Sequence, residues 1–277
     1  MTADPDARTV KLPQGTIRYR ESGTGEPIVF VHGLLVNGLL WHKVVAELQA
    51  DFRCITPDFP LGSHEPPMEE GADLTPPGLA KLIADFMSAL ELERVTLVGN
   101  DTGGALSQIV ATRHPERLGR LVLTNCDAFK NFLPPFFRPL QWIARVPGGL
   151  AAATQGLRVP RVRSTALGYG LLVKHPVDPQ VLASWATPVT ANRGTRRDLT
   201  KVLRGISPRY TLEAAERLKD FDRPTLIAWA PEDPFFKLDH ARKLADAIPD
   251  ATLETVEDSK AFVPMDQPKR LAELIRS

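Results

Sequence analysis

The sequence predicts an α/β protein, in which helices cover both faces of a mostly parallel central sheet. Short apolar runs of strand type alternate with segments whose apolar residues recur every three to four positions, as on one face of a helix. This alternation breaks off near residue 129 and resumes after residue 210. The composition agrees with this class, because 277 residues that are 43% hydrophobic and 24% charged suit a globular chain with a sizeable core.

The elements of the sheet can be assigned in chain order. Seven strands are predicted from short runs of apolar and β-branched residues: Thr16–Arg20, Pro27–Val31, Arg53–Pro57, Val95–Val98, Leu121–Thr124, Thr225–Ala228 and Thr252–Val256. Five helices are predicted from apolar residues at helical spacing: Trp41–Leu48, Pro77–Leu90, Ala105–His114, Asp239–Ala247 and Pro268–Arg276. Strands joined through helices pair in parallel, so most of the sheet is expected to be parallel.

The stretch from Phe129 to Leu212 predicts a helical lid inserted into a single core. It has proline-rich turns and carries 13 Lys or Arg against two Asp, a net charge of +11, whereas the rest of the chain carries −10. We therefore expect a core of residues 1–128 and 213–277 and a cap of residues 129–212. Such a basic surface is either a solvated face or one that attracts an anionic substrate, the acidic core or a second subunit in a homodimer.

Composition also restricts the compartment and the partners. No apolar run reaches the roughly 20 residues of a membrane span, and the opening MTADPDARTV lacks the apolar region of a signal peptide, so a cytoplasmic protein is expected. The basic stretch lacks interleaved aromatic residues, which argues against nucleic acid. Cys54 and Cys126 have neither CxxC spacing nor neighbouring histidines, and we expect buried thiols and no metal site.

The strongest chemical signal is the run VTLVGNDTGGALSQIVATRHP, in which a short strand passes directly into a helix. Gly99 and Gly103 lie two residues before and two residues after Asp101. Glycines at these positions permit the strained strand-to-helix turn of a nucleophile elbow, which lifts the central side chain above the sheet at the positive end of a helix. The expected nucleophile is therefore the carboxylate of Asp101.

A second signal lies about 70 residues earlier, where a predicted strand ends in His32-Gly33. In this arrangement the backbone N–H of Leu34 and that of Thr102, the residue after the nucleophile, form an oxyanion hole. His32 itself is expected to be a structural hydrogen-bonding group of the loop.

With these motifs, and with HPERLGRLVL after the elbow and the tail EDPFFKLDHARKLADAIPDATLETVEDSKAFVPMDQP, the chain resembles an α/β-hydrolase over essentially its whole length. The Asp at the elbow is similar to the haloalkane dehalogenase and epoxide hydrolase branch, where a carboxylate attacks carbon and a His-activated water cleaves the ester. The resemblance implies the α/β-hydrolase fold, no cofactor, and Asp101 as nucleophile. It also implies an acid partner at Asp233, or at Asp127, the other acid position of the branch, although a turn or capping role is the more common one for a lone Asp after a strand.

The catalytic histidine of the branch is missing. Relatives carry it in D-x-G-H-F or a similar motif after the last strand, and the matching run is Asp258-Ser259-Lys260-Ala261-Phe262, with Ala261 in place of His. No histidine follows the final predicted strand. His64, in the loop after the strand Arg53–Pro57, is the candidate substitute for activating water, because that loop leaves the same carboxyl edge of the sheet as the elbow. A histidine in such a loop is also explained as surface decoration.

The subtype markers of the branch are incomplete. Dehalogenases carry Trp after the nucleophile and Asn or Trp after His-Gly, whereas this chain has Thr102 and Leu34, so a halide site is not supported. Epoxide hydrolases show HGxP and two cap tyrosines. Here Leu35 replaces the proline, and Tyr169 and Tyr210 are available as the pair. Ordinary packing explains either tyrosine as well.

The sequence leaves three functions open. The first is hydrolysis of a small, largely apolar ester, epoxide or alkyl halide, with lid aromatics such as Phe129 and Trp142 walling a pocket over Asp101. The second is a lyase, isomerase or cyclase that uses Asp101 as acid or base. The third is a non-catalytic binder of a small molecule, against which the predicted backbone strain at Asp101 weighs.

Overall fold

The computed structural model describes residues 7–277, and residues 1–6 of the opening segment used for the signal-peptide expectation lie outside it. The described chain forms one eight-stranded sheet in the order β1-β2-β4-β3-β5-β6-β7-β8. The strands are β1 (Ala7–Leu12), β2 (Gly15–Ser22), β3 (Pro27–Val31), β4 (Arg53–Pro57), β5 (Val95–Asp101), β6 (Leu118–Cys126), β7 (Thr225–Trp229) and β8 (Ala251–Thr255). The predicted α/β class and its mostly parallel sheet are confirmed.

The parallel part of the sheet runs from β4 to β8, and β1 and β2 add an antiparallel edge. The central strands are buried along nearly their whole length, which explains why they appear in the sequence as continuous apolar runs. β1 is not predicted by the sequence pattern, because only Leu12 of its six residues is buried. β5 lies at the centre of the sheet, so its carboxyl end, at Asp101, faces the region where the lid and core meet.

Twelve helices are described, together with single turns of 3-10 helix. They are α1 (His42–Leu48), α2 (Pro76–Ala89), α3 (Thr102–Arg113), α4 (Pro139–Ile143), α5 (Gly149–Ala153), α6 (Pro160–Arg163), α7 (Pro179–Ala191), α8 (Arg193–Gly205), α9 (Pro208–Arg217), α10 (Leu238–Ala247), α11 (Val263–Asp266) and α12 (Pro268–Arg276). The five predicted core helices are present. α3 begins three residues earlier than its apolar pattern indicates, since the helix starts immediately after the elbow.

The segment predicted as a lid forms short helices and the two longer helices α7 and α8. Edge-to-face packing of Trp185 on Phe262, at 5.8 Å between ring centroids, and a 2.8 Å hydrogen bond from the Tyr169 hydroxyl to the Leu35 carbonyl attach this segment to the core. The predicted boundary at residue 212 falls inside α9, which packs against α3 and is tied to it by a 2.7 Å ion pair between Arg113 and Glu213.

Two smaller expectations can be compared with the fold. Cys54 and Cys126 are both buried and free, as predicted, and burial raises the pKa of the Cys54 thiol to about 12. Across residues 7–277, no helix combines the length and apolarity needed to cross a membrane.

Candidate active site

Asp101 lies at a strained turn between β5 and α3. Its backbone has φ 55° and ψ −132°, a positive φ that side-chain-bearing residues rarely adopt. The turn is possible because glycines allow close approach on both sides. A Cβ on Gly33 would lie 2.0 Å from Oδ2 of Asp101, and a Cβ on Gly103 would lie 2.3 Å from the carbonyl oxygen of Val31. The sequence motif is therefore realised as an elbow that presents a carboxylate.

The carboxylate of Asp101 is held by the backbone donors expected for an oxyanion hole. The N–H of Leu34 donates to Oδ2 at 3.2 Å, and the N–H of Thr102 also bonds to the carboxylate. The carboxylate is thus held at the first turn of α3, where the helix dipole favours negative charge. This geometry orients the Asp101 side chain toward the space beneath the lid.

The environment of Asp101 shifts its ionisation toward neutral pH. Burial raises the pKa of Asp101 from 3.8 to about 7, against the lowering effect of the N–H groups of Leu34 and Thr102, and the charge of Asp233 raises it further. At neutral pH, a substantial fraction of the protein molecules therefore carries a protonated Asp101. Within residues 7–277, no histidine pairs with it to hold the carboxylate ionised.

Asp233 and Asp127 are both buried beside the elbow. Asp233 accepts from the N–H of Phe235 and from Nδ2 of Asn125, each at 2.8 Å, and burial raises its pKa to about 6. Asp127 accepts from the N–H of Leu133 at 2.9 Å and from the Thr102 hydroxyl at 3.2 Å. Burial, followed by the charge of Asp101, raises the pKa of Asp127 well above its usual range. In the described part of the chain, no Lys, Arg or His forms an ion pair with any of these three carboxyls.

The position expected to hold the catalytic histidine adjoins the elbow. Ala261 is fully buried, and its carbonyl accepts a 2.7 Å hydrogen bond from Nδ2 of Asn100, the residue before Asp101. Asp258, at the start of the same loop, is half-exposed and pairs instead with Lys174 and His175. Ala261 therefore lies where the resemblance places the base, but its methyl group cannot accept a proton.

His64 lies away from the Asp101 cavity, and the structure gives it a different role from the one predicted. It is 1% exposed, and its Nε2 lies 3.2 Å from Oδ2 of Asp198 on α8. Asp198 also accepts from the N–H of Met68 at 2.8 Å and from Arg197 at 2.9 Å. Burial opposes ionisation of Asp198, yet these hydrogen bonds prevail and its net pKa is lowered. His64 thus helps to fasten α8 to the core.

His32 is a structural residue, as expected. Nε2 accepts a 2.9 Å hydrogen bond from the N–H of Phe59, so the proton is on Nδ1, which donates to the carbonyl of Gly33 at 2.9 Å. Burial lowers the pKa of His32 to about 4, and the ring stays neutral. It fixes the loop that supplies the Leu34 donor.

A cavity of about 290 Å³ opens above Asp101 between the elbow and the lid. Its walls are mainly apolar and come from the Leu34 loop, from the chain after β6 and from the short lid helices: Leu34, Leu35, Asp101, Leu133, Pro134, Phe136, Phe137, Pro139, Leu140, Ala153, Thr154, Leu157, Ala166, Leu167, Gly168, Tyr169 and Leu172. Among residues 7–277, no histidine lines it. A carboxylate at the floor of an apolar chamber suits a reaction on a small apolar molecule.

Of the four predicted pocket residues, the structure brings only Tyr169 to this cavity. Trp142 is 70% exposed and stacks with Arg145, because the short helix α4 turns it to the surface. Tyr210 packs against the guanidinium of Arg209, and Phe129 lines a separate surface depression beside α10. The expectation that Phe129, Trp142 and Tyr210 wall the Asp101 pocket is therefore wrong.

The sequence analysis did not identify several residues of the site. The amides Asn100 and Asn125 bridge the elbow to the Ala261 loop and to Asp233, and Leu133 and Leu157 contribute apolar wall. Their positions in the sequence could have indicated a role in the site, because Asn100 precedes Asp101 and Asn125 lies near the end of β6. No group of three His, Cys, Asp or Glu in residues 7–277 is arranged to hold a metal ion.

Comparison with known proteins identifies the family. The profile of the alpha/beta hydrolase fold family matches residues 26–268, and the chain belongs to that family. Haloalkane dehalogenase 2 of Mycobacterium tuberculosis (strain ATCC 25618 / H37Rv) is 26% identical over 298 residues, covering 99% of this chain and 96% of the relative. The cis-3-alkyl-4-alkyloxetan-2-one decarboxylase of Shewanella oneidensis is 29% identical over 265 residues, covering 90% of this chain and 80% of the relative. The predicted superfamily is confirmed.

Solved structures share the same fold. An alpha/beta hydrolase fold protein from Burkholderia ambifaria superposes with a TM-score of 0.81 at 22% identity, over 98% of this chain and 97% of that one. A ligand-free epoxide hydrolase superposes with a TM-score of 0.78 at 18% identity, over 97% and 96% of the two chains.

Proposed function

We propose that the protein is a hydrolase-fold enzyme that attacks a small, largely apolar ester, epoxide or alkyl halide through the carboxylate of Asp101. Attack forms a new C–O bond to the substrate carbon, and the bond to the leaving group breaks with its electron pair. The observation that carries this proposal is the orientation of Asp101. Its carboxylate is held by the N–H groups of Leu34 and Thr102 at an apolar cavity of about 290 Å³.

The strain at the elbow supports a reactive role for this carboxylate. A positive φ at a non-glycine residue costs of order 1–3 kcal/mol and persists only where the surroundings impose it. Here Gly33 leaves room for the carboxylate and α3 starts immediately behind it. An aspartate that served only as a turn residue would not need that arrangement.

The cavity also narrows the substrate class. The mouth carries exposed apolar side chains, Phe136 and Leu167, which suit the entry of an apolar molecule. Tyr169 is the phenol available to protonate an epoxide oxygen, but its hydroxyl donates to the Leu35 carbonyl and burial raises its pKa, which makes it a weaker acid. We therefore favour electrophiles whose leaving group departs as a stable anion, above all strained esters opened at the alkyl carbon, where attack leaves an alkyl ester on Asp101 and frees a carboxylate.

The second half-reaction is the limiting one. Cleavage of the Asp101 ester by water requires a base to remove a proton, a contribution of typically ~10²- to 10⁴-fold. Ala261 supplies none, and His64 faces Asp198 instead of the cavity. We expect an ester on Asp101 to accumulate unless the chemistry of the substrate itself releases it.

A lyase is the second candidate function, and the missing base favours it. An oxetan-2-one, the substrate class in the name of the Shewanella oneidensis relative, can lose CO₂ without water. Asp101 would attack the ring carbon bonded to oxygen, which frees a carboxylate. Loss of CO₂ would then turn the C–C bond electrons into the C=C bond of an alkene while the bond to Asp101 breaks. This sequence regenerates the carboxylate and requires no water-activating histidine.

Intact-protein mass spectrometry tests the proposal. The protein is incubated with activated esters, epoxides, alkyl halides and an oxetan-2-one, and the adduct is mapped by proteolysis. An adduct on Asp101 supports the nucleophile, and alkene plus CO₂ from the lactone supports the lyase. Asp101→Asn is the matched control, because it keeps the size of the side chain but should abolish adduct and product. If the native chain forms neither adduct nor product and this variant binds the ligand unchanged, the protein is a non-catalytic binder of a small molecule.

A further inference from the structure

A second cleft lies on the lid, and it is cationic. It has a volume of about 690 Å³ and lies between α8 and the segment that contains α5. Arg193, Arg196, Arg197 and Arg204 line it, and Glu70 is its one acidic residue. These arginines lie at spacings of three, four and seven residues along α8, so they project from one side of the helix. No lining residue is shared with the Asp101 cavity, and the two sites are distinct.

Most of the positive charge in this cleft is not neutralised. Arg197 pairs with Asp198 and Glu70, but within residues 7–277 no carboxylate forms an ion pair with Arg193, Arg196 or Arg204. Arg196 and Arg204 are anchored through neutral groups instead. Nη1 of Arg196 donates to the Val189 carbonyl at 2.8 Å, and Nε of Arg204 donates to the Ala144 carbonyl at 3.0 Å. Such bonds hold each guanidinium in place without cancelling its charge, which leaves its other N–H donors available to an anion.

The opposite wall of the cleft is apolar. Val146, Pro147, Leu150 and Ala151 line it, and Val146 is 59% exposed. A ligand that fills the cleft would therefore place an anionic group on the arginines and an apolar group on this wall. The N-terminus of α8 does not supply the anion site, since the Asn192 side chain already accepts from the N–H groups of Gly194 and Thr195.

We propose that this arginine cleft binds the phosphate group of an amphiphilic phosphate ester. Planar guanidiniums bind phosphate oxygens through paired hydrogen bonds, and a phosphate carries enough charge to engage more than one of them. This chemistry is shared by a free phosphate ester and by a phospholipid headgroup. The inference does not depend on catalysis by Asp101.

The test is calorimetric titration of the full chain with n-hexyl phosphate and, separately, with inorganic pyrophosphate. The double variant Arg193→Gln and Arg196→Gln removes two cleft charges. The matched control, Arg138→Gln and Arg161→Gln, removes two exposed lid charges that lie outside the cleft lining. We expect the first pair to raise the Kd for hexyl phosphate at least about tenfold and the second pair to change it by less than about twofold.

A single variant and a vesicle-binding experiment distinguish a phospholipid headgroup from a free phosphate ester. Arg193→Gln alone, at an exposed side chain, should raise the Kd about threefold without endangering the fold. Co-sedimentation with phosphatidic acid vesicles that the cleft variant loses and the control variant keeps would assign the site to a lipid headgroup. Binding of soluble hexyl phosphate without sedimentation would assign it to a free ester. Absence of binding to all three probes, or equal weakening in both double variants, would overturn the proposal.

Discussion

Titration of Asp101 should make the stability of this protein fall as the pH rises through the weakly acidic range. The pKa of Asp101 is raised from 3.8 to about 7 in the folded protein, because burial penalises its charged form. Between these values the unfolded chain has released the proton while the folded chain retains it. The contribution of Asp101 to the free energy of unfolding is therefore fully present below pH ~4 and is lost progressively up to pH ~7. Asp101→Asn cannot ionise and does not incur this loss.

The magnitude follows from the two pKa values. Proton linkage with values of 3.8 and about 7 gives an ionisation penalty that grows by roughly 2–3 kcal/mol between pH 5 and pH 8. Asp127 and Asp233 titrate in both proteins, so the comparison isolates the contribution of Asp101 and its coupling to them. The free energy of unfolding of Asp101→Asn, relative to the native chain, should rise by that amount over this interval.

Urea unfolding of both proteins at pH 5 and pH 8 measures this difference. Asp246→Asn, on the exposed side of α10, controls for the loss of a carboxylate as such. A difference between native and Asp101→Asn stabilities that is the same at both pH values would refute the conclusion that burial sets the ionisation of Asp101.

Three further predictions concern the base, the elbow and the lid. Ala261→His restores an imidazole beside the elbow, so release of a trapped Asp101 ester should accelerate by ~10²- to 10⁴-fold, as followed by the decay of the adduct mass. Gly33→Ala puts a methyl group 2.0 Å from Oδ2 of Asp101 and should abolish adduct formation, measured by intact mass, while the far-ultraviolet circular dichroism is retained. Asp198→Ala removes the partner of two buried hydrogen bonds and one partly buried hydrogen bond and should lower the free energy of unfolding by about 3–5 kcal/mol, measured by urea denaturation.

Each of these predictions has a control and a contradicting outcome. Gly71→Ala, at a glycine with no atom within 4 Å of the added methyl, should form the adduct normally. Adduct formation in Gly33→Ala at the native rate would show that the position of the carboxylate is not critical. An unchanged adduct lifetime in Ala261→His would mean that another group already activates water. A loss below about 1 kcal/mol in Asp198→Ala would show that this cluster does not fasten the lid.

The core of the site could be predicted because its constraints are local in sequence. A carboxylate between Gly99 and Gly103, after an apolar strand and before a helix, specifies an elbow without information from distant parts of the chain. The His32-Gly33 loop is similarly specified by the strand before it. The sequence also shows that Ala261, and no histidine, follows the last strand.

The remainder depends on long-range packing that no local pattern encodes. His64 lies at the expected edge of the sheet, but its ring forms a hydrogen bond with Asp198, 134 residues later in the chain. Trp142 was expected in the pocket on hydrophobicity, but a five-residue helix gives it no buried face. The high Arg content of the lid was visible, whereas the gathering of four arginines in one cleft required the packing of α8 against the α5 segment.

The central claim is that Asp101 is a nucleophile, and its most direct test is the mass of the intact protein after exposure to an alkyl halide, from which attack leaves an alkyl ester on Asp101 and releases halide. The account predicts an increase equal to the transferred group, located on Asp101, that forms faster at pH 8 than at pH 5, because attack requires the ionised carboxylate. It also predicts that the adduct persists, since no histidine of residues 7–277 lines the cavity. Product formation at the same rate in the native chain and in Asp101→Asn, with no adduct at either pH, would contradict the account.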